Sequence, residues 1–230
     1  MGSVSRQPRA VLWDMDGTLV DTEPYWMAAE TALVESFGGT WSHEDALQLV
    51  GNGLIDSAII LQNAGVDMEA DAIISLLTDS VQEALRTQGV PFRPGARELL
   101  SDLKAAGIPT ALVTMSLRRM ALGVVELIDF DAFELVVAGD DVENPKPHPE
   151  PYLQAAALLD IDITEAIVIE DSPTGLRAGI ASGAVTLGVP HIVSLEEVGA
   201  HELWPTLEGR SAADLIDLFD RQNAPTGATR

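Results

Sequence analysis

Ala10-Val11-Leu12-Trp13-Asp14-Met15-Asp16-Gly17-Thr18-Leu19-Val20-Asp21 begins with four apolar residues in an unbroken run and stops at an acid. A strand buried on both faces of a parallel sheet reads this way, because helices cover each face and neither can be polar. The same signature returns at residues 110–113, 135–138, 166–169 and 184–187. Apolar residues at helical spacing lie between these runs, at 96–106 before Gly107, at 149–160, and at 174–182 before Gly183. Strands alternating with helices predict a doubly wound α/β domain around a parallel sheet.

One interval breaks the alternation. Residues 25–90, between the first and second strands, carry no strand pattern and read as helices at 26–37, 43–49, 54–63 and 70–87. Gly38-Gly39, Gly51-Asn52-Gly53 and Gly65 separate them. The expectation is an all-helical cap inserted after strand one, with hinges near 22–24 and 91–94. The core then comprises 1–23 and 92–222, the cap 24–91, and the polar segment 223–230 a disordered tail.

Charge narrows the partners. Thirty-six acidic residues face 13 basic ones, a formal net charge of −23. Such a field repels nucleic acid and anionic membranes, so neither is an expected partner. It also repels anionic substrates, so a phosphate site must carry its own local cation. The chain has no cysteine, which excludes disulfides, thiolate catalysis and cysteine metal sites. No export signal is recognisable in residues 1–10, and no run approaches the roughly 20 apolar residues of a membrane span. A cytoplasmic location is expected.

Four short segments at strand ends carry candidate chemistry. Asp14 and Asp16, two apart just past a strand, can face one site, and Gly17 permits the sharp turn there. Two carboxylates so close need a cation or a proton between them. Thr114 and Met115 follow the second strand at the start of another helix, where a hydroxyl and free N–H groups can hold a phosphate oxygen or simply cap the helix. Lys146, one of only two lysines, sits among prolines at 145, 147 and 149. A scarce cation in a rigid loop suits local neutralisation of phosphate; His148 beside it reads as a solvent-facing loop residue. Glu170 and Asp171 end the fourth run, and a third carboxylate suits an oxygen-liganded Mg²⁺; helix capping by Asp171 or Ser172 is the alternative.

Together these segments resemble the four motifs of the haloacid dehalogenase superfamily, and its magnesium-dependent phosphatases in particular. They are the D-x-D-G-T of Asp14–Thr18, the strand-end Thr114, the K-P of Lys146-Pro147 and the E-D-S of Glu170–Ser172. The resemblance implies a Rossmann-like core with a helical cap of the β-phosphoglucomutase-like type. It implies that Asp14 attacks phosphorus, and that Asp16 protonates the leaving alcohol and then activates water. By the same resemblance Thr114, Met115 and Lys146 hold the phosphoryl oxygens. Asp14, the Asp16 carbonyl and Asp171 ligate Mg²⁺, with Glu170 in contact with the metal or just behind it. The expected partner is a small phosphorylated metabolite: a sugar, polyol or nucleotide monophosphate.

Two alternatives stay open at this point, a phosphosugar mutase and a non-catalytic binding member. A mutase must grip a second phosphate in its cap, yet between Pro24 and Phe92 the only Lys or Arg is Arg86, against ten Asp and Glu. Where mutases of the family carry an arginine after the cap glycine loop and a histidine on the hinge helix, this chain has Leu54 and Trp26. Gly51, Asn52, Gly53, Leu54 and Trp26 are therefore the substrate-specificity candidates; Trp26 is either a core anchor of the first cap helix or a border of the substrate.

Overall fold

The computed structural model describes residues 6–50 and 52–224. In chain order its elements are β1 (Ala10–Trp13), α1 (Glu23–Ser36), α2 (His43–Leu47), α3 (Leu54–Asn63), α4 (Ala70–Gln88), α5 (Ala96–Ala105), β2 (Thr110–Val113), α6 (Arg118–Glu126), β3 (Leu135–Val137), α7 (Glu150–Leu158), β4 (Ala166–Glu170), α8 (Pro173–Ser182), β5 (Val185–Gly188), β6 (Glu202–Leu203) and α9 (Ala212–Gln222). The sheet order is β3-β2-β1-β4-β5-β6, and every pairing is parallel. This is a Rossmann-like, doubly wound α/β core with an all-helical cap inserted after β1.

The unbroken apolar runs have a direct cause. Along β1, Val11 and Trp13 pack into one core with Leu112, Ile167 and Ile169. Ala10 and Leu12 face the opposite core with Ala111, Val113 and Val168. Both faces are covered, so every position of the strand is buried and alternation has no polar phase to show.

Helices α1 to α4 enclose a third core of Leu33, Val34, Leu61, Ile73 and Leu77, with Leu117 of the main domain packed against it. Pro24 opens α1 in its first turn, and a capping box between Ser42 and Asp45 starts α2. Arg119 on α6 ties the cap down. Its guanidinium donates to Asp79, to Gln82 Oε1 at 2.9 Å and to the Ser75 carbonyl at 2.9 Å, while Gln82 Nε2 returns a bond to the Arg119 carbonyl at 2.8 Å. At the other end Asn223 closes α9, its Nδ2 donating to the Phe219 carbonyl. Residues 225–230 of the tail read as disordered lie outside the described residues. Among the described residues no helix is long and apolar enough to cross a membrane.

Candidate active site

From β1 the chain builds β2 and β3 outward on one side and then returns to lay β4 against the other side of β1, so a crevice opens at the carboxyl ends of β1, β2 and β4. Asp14 follows β1, Thr114 follows β2, Glu170 ends β4 and Asp171 comes next. One carboxylate oxygen from each of Asp14, Glu170 and Asp171 lies within 4.8 Å of the other two. Lys146 arrives from the loop before α7 and is 8% exposed. Its Nζ donates to Asp14 Oδ1 and Glu170 Oε1, each at 2.7 Å, and to the Val113 carbonyl at 2.8 Å. The Tyr152 hydroxyl donates to Glu170 Oε1 at 2.6 Å from below.

Two glycines make room for these acids. A Cβ on Gly17, whose φ is +86°, would fall 2.1 Å from Asp171 Oδ2; one on Gly175 would fall 1.8 Å from Glu170 Oε1. Ser172 caps α8 by accepting from the Gly175 N–H at 3.0 Å, so the cap is not Asp171. Asp171 instead accepts from Thr18 Oγ1 at 3.1 Å and turns into the crevice.

Electrostatics follow from burial. Desolvation pushes the Asp14 carboxyl up to about 7, helped by the charge of Glu170 and opposed by Lys146. Burial also lifts Asp171 well above the usual carboxylate range, with Asp14 and Glu170 adding to it. For Lys146 burial works against the charge, but Asp14 and Glu170 more than compensate and hold the ammonium above its ordinary value. One ammonium against three converging carboxyls leaves the group short of positive charge. Oxygen donors this close, buried and mutually repelling, fit a hard divalent cation.

Asp16 stands apart from that cluster. Its carboxylate accepts from Thr22 Oγ1 at 2.5 Å, Ser116 Oγ at 2.7 Å and Thr114 Oγ1 at 3.4 Å. The Thr114 hydroxyl also accepts from the Ser116 N–H at 3.0 Å. Asp14, Asp16, Thr114, Met115 and Lys146 line a single cleft of about 360 Å³, with Asp171. His148 is exposed on the surface.

The cap forms the roof of this cleft. Glu23, Trp26 and Glu30 are three and then four residues apart on α1, hence on one helix face, and all three line it. Asn52 and Gly53 add the loop before α3 and Leu54 the first residue of that helix; Ile74 and Leu77 add a wall of α4. Gly51 lies outside the described residues. Trp26 packs against the cores of cap and main domain, as a core anchor would, and it also borders the cleft.

Residues 11–189 match the model of the haloacid dehalogenase-like hydrolases. The chain belongs to that family. Hexitol phosphatase A of Escherichia coli (strain K12) is 32% identical over 187 residues, which cover 79% of this chain and 82% of that one. A phosphorylated carbohydrates phosphatase of Thermotoga maritima is 32% identical over 200 residues, covering 83% and 91% of the two chains. A β-phosphoglucomutase from Clostridium difficile shares the fold at a TM-score of 0.81, with 20% identity, 95% of this chain covered and 100% of that one. Family and relatives together make this haloacid dehalogenase-like protein a phosphoric monoester hydrolase.

Several residues of the hydrolase site were not singled out from the sequence. Thr22 and Ser116 hold Asp16, and Tyr152 holds Glu170. Thr22 lies in a segment read only as a hinge, and Tyr152 on a helix read only as core packing. Glu23 and Glu30 had a visible signal, their three- and four-residue spacing from Trp26. Acids on a helix ordinarily mark its solvated face, and only the seating of the cap turns these inward.

Proposed function

We propose that this chain is a Mg²⁺-dependent phosphatase that cleaves a small phosphorylated carbohydrate or related monoester through an aspartyl phosphate on Asp14. The observation that carries the reading is the division of the floor. Asp14 is held by Lys146 among acids suited to a cation, and Asp16 is held separately by three hydroxyls.

That division suits a two-stage displacement. An Asp14 oxygen forms a bond to phosphorus as the bond from phosphorus to the leaving oxygen breaks, and Asp16 gives its proton to the departing alcohol. Water then attacks phosphorus of the acyl phosphate, Asp16 takes the proton, and phosphate leaves with the Asp14 carboxylate restored. Lys146 and the Thr114–Met115 turn hold phosphoryl oxygens throughout. Asp14 and Asp171, with the Asp16 carbonyl and Glu170 adjoining, would hold Mg²⁺, which supplies positive charge opposite the phosphoryl oxygens. The names of the Escherichia coli and Thermotoga maritima relatives support the substrate class.

The roof weighs against mutase action. Among the described residues lining the cleft, the only lysine or arginine is Lys146, on the floor. A second phosphate would be desolvated against carboxyls.

The test is phosphate release from p-nitrophenyl phosphate with Mg²⁺, with EDTA, and with Asp14→Asn. The expected result is turnover only in wild type with Mg²⁺, and full activity in EDTA overturns the metal assignment. Supplying β-glucose 1-phosphate with a trace of glucose 1,6-bisphosphate should yield free phosphate faster than glucose 6-phosphate; the reverse overturns the phosphatase assignment.

A further inference from the structure

Glu30 is a carboxyl the proposed chemistry does not use. It is 6% exposed, on the cleft-facing stripe of α1. Its Oε2 accepts a long bond of 3.4 Å from Trp41 Nε1, and among the described residues Oε1 accepts none. No lysine, arginine or histidine of the cap lines the cleft among the described residues. Oε1 is not sealed in the core, so this acceptor of a largely buried carboxyl is open to the cleft and to whatever hydroxyl occupies it.

We propose that Glu30 selects the alcohol part of the substrate by accepting a hydrogen bond from a hydroxyl group remote from phosphorus, on an uncharged polyhydroxy leaving group. This inference rests on the phosphatase reading and names the substrate class within it.

Three physical points favour that ligand. First, Glu23 stands close enough to feel the charge of Asp16, and Glu30 is seven residues further along the same helix. At 1.5 Å per residue it lies about 10 Å further along the helix axis than Glu23. A leaving group several carbons long reaches it and a two-carbon fragment does not. Second, an anionic group would meet Glu23 and Glu30 with no cation beside them, which excludes acids and second phosphates. Third, Leu49, Ile74 and Leu77 share this part of the lining. Desolvating an ammonium and a carboxylate together against such a wall costs more than matching a hydroxyl to a carboxyl that burial already pushes up to about 7. Trp26, on the same stripe, offers an apolar ring face to carbon-bound hydrogens.

The experiment compares kcat/KM, with Mg²⁺, for glucitol 6-phosphate, hexyl phosphate and 6-aminohexyl phosphate. These leaving groups have the same length and carry hydroxyls, no polar group and an ammonium. Wild type is expected to prefer glucitol 6-phosphate over hexyl phosphate at least tenfold. In Glu30→Leu that ratio should fall at least tenfold, chiefly through KM, and in Glu30→Gln by less, since the amide keeps an acceptor. Circular dichroism and melting check that the variants are folded; if the leucine variant fails to fold, the near-isosteric glutamine variant is read by the same ratio. An unchanged ratio in a folded variant overturns the proposal. So does a preference for the aminohexyl ester that disappears with Glu30. If wild type releases phosphate from none of these, nor from p-nitrophenyl phosphate, the Asp14 chemistry has failed and this inference with it.

Discussion

The floor and the roof of the cleft treat charge in opposite ways. On the floor, acids from β1 and β4 converge on an ammonium, and hydroxyls fill the lone pairs of Asp16. On the roof, half-buried Glu23 and buried Glu30 line the cleft with no lysine, arginine or histidine of the cap beside them among the described residues, and desolvation is the main cause that pushes each up to about 7. The difference separates two tasks. A group that must stabilise transferred charge is pre-paired and preorganised. A group that must choose among alcohols keeps an acceptor free.

The largest effect should come from the floor. Asp14→Asn removes the nucleophilic oxygen while keeping size and shape, and phosphate release is expected to fall at least about 10³-fold with the fold intact by circular dichroism. Turnover near the wild-type rate would break the comparison at its base.

Lys146→Ala leaves Asp14 and Glu170 facing each other without the ammonium. Breaking a buried pair in this way costs about 3–5 kcal/mol. Urea unfolding in EDTA should show a loss of that order, and added Mg²⁺ should recover part of it if a cation binds among the remaining acids. No recovery would argue that the floor relies on Lys146 alone.

The roof gives a smaller, pH-dependent signal. The Glu30 carboxyl ordinarily titrates at 4.5 and in the fold near 7. Between these values the folded state holds a proton that the unfolded state has lost, so Glu30 lowers stability as pH rises through this window and no further above it. Glu30→Gln should flatten that decline, gaining on the order of 2 kcal/mol relative to wild type between pH 4.5 and 8. Parallel stability curves for the two proteins would show that the carboxyl is not desolvated as described.

The smallest effect concerns the joint between the regions. Arg119 is more than a third exposed and reaches Asp79, Gln82 and Ser75 of α4. Arg119→Ala should destabilise by about 1 kcal/mol or less, and faster hydrogen exchange along α4 than in β1 would locate the loss at the cap.

The regular part of the fold was legible because it is local. Residues 110–113 and 54–63 were read with the bounds that β2 and α3 have, and β1 likewise. Two elements were not read. β6 has only Glu202 and Leu203 and hangs on the sheet edge beside β5, too short for any periodicity. The helix α9 follows a loop-rich stretch and entered the reading only as part of the core.

What the sequence by itself determined is the order of strands and helices and the acids and lysine at the strand ends. Burial on both faces imposes unbroken apolar runs, and strand ends in such a sheet face a crevice wherever the chain goes next. Only the tertiary structure decided which oxygen meets which. Lys146 reaches Asp14 across 132 residues of chain, and Glu170 and the Val113 carbonyl, not solvent, take its other two bonds. The same holds for the roof: the spacing of Glu23, Trp26 and Glu30 puts them on one face of α1, but whether that face looks at water or at the active site depends on how the cap seats on the core. Periodicity reports which side of an element is alike; it carries no information about what lies opposite, which is set by contacts far apart in the chain.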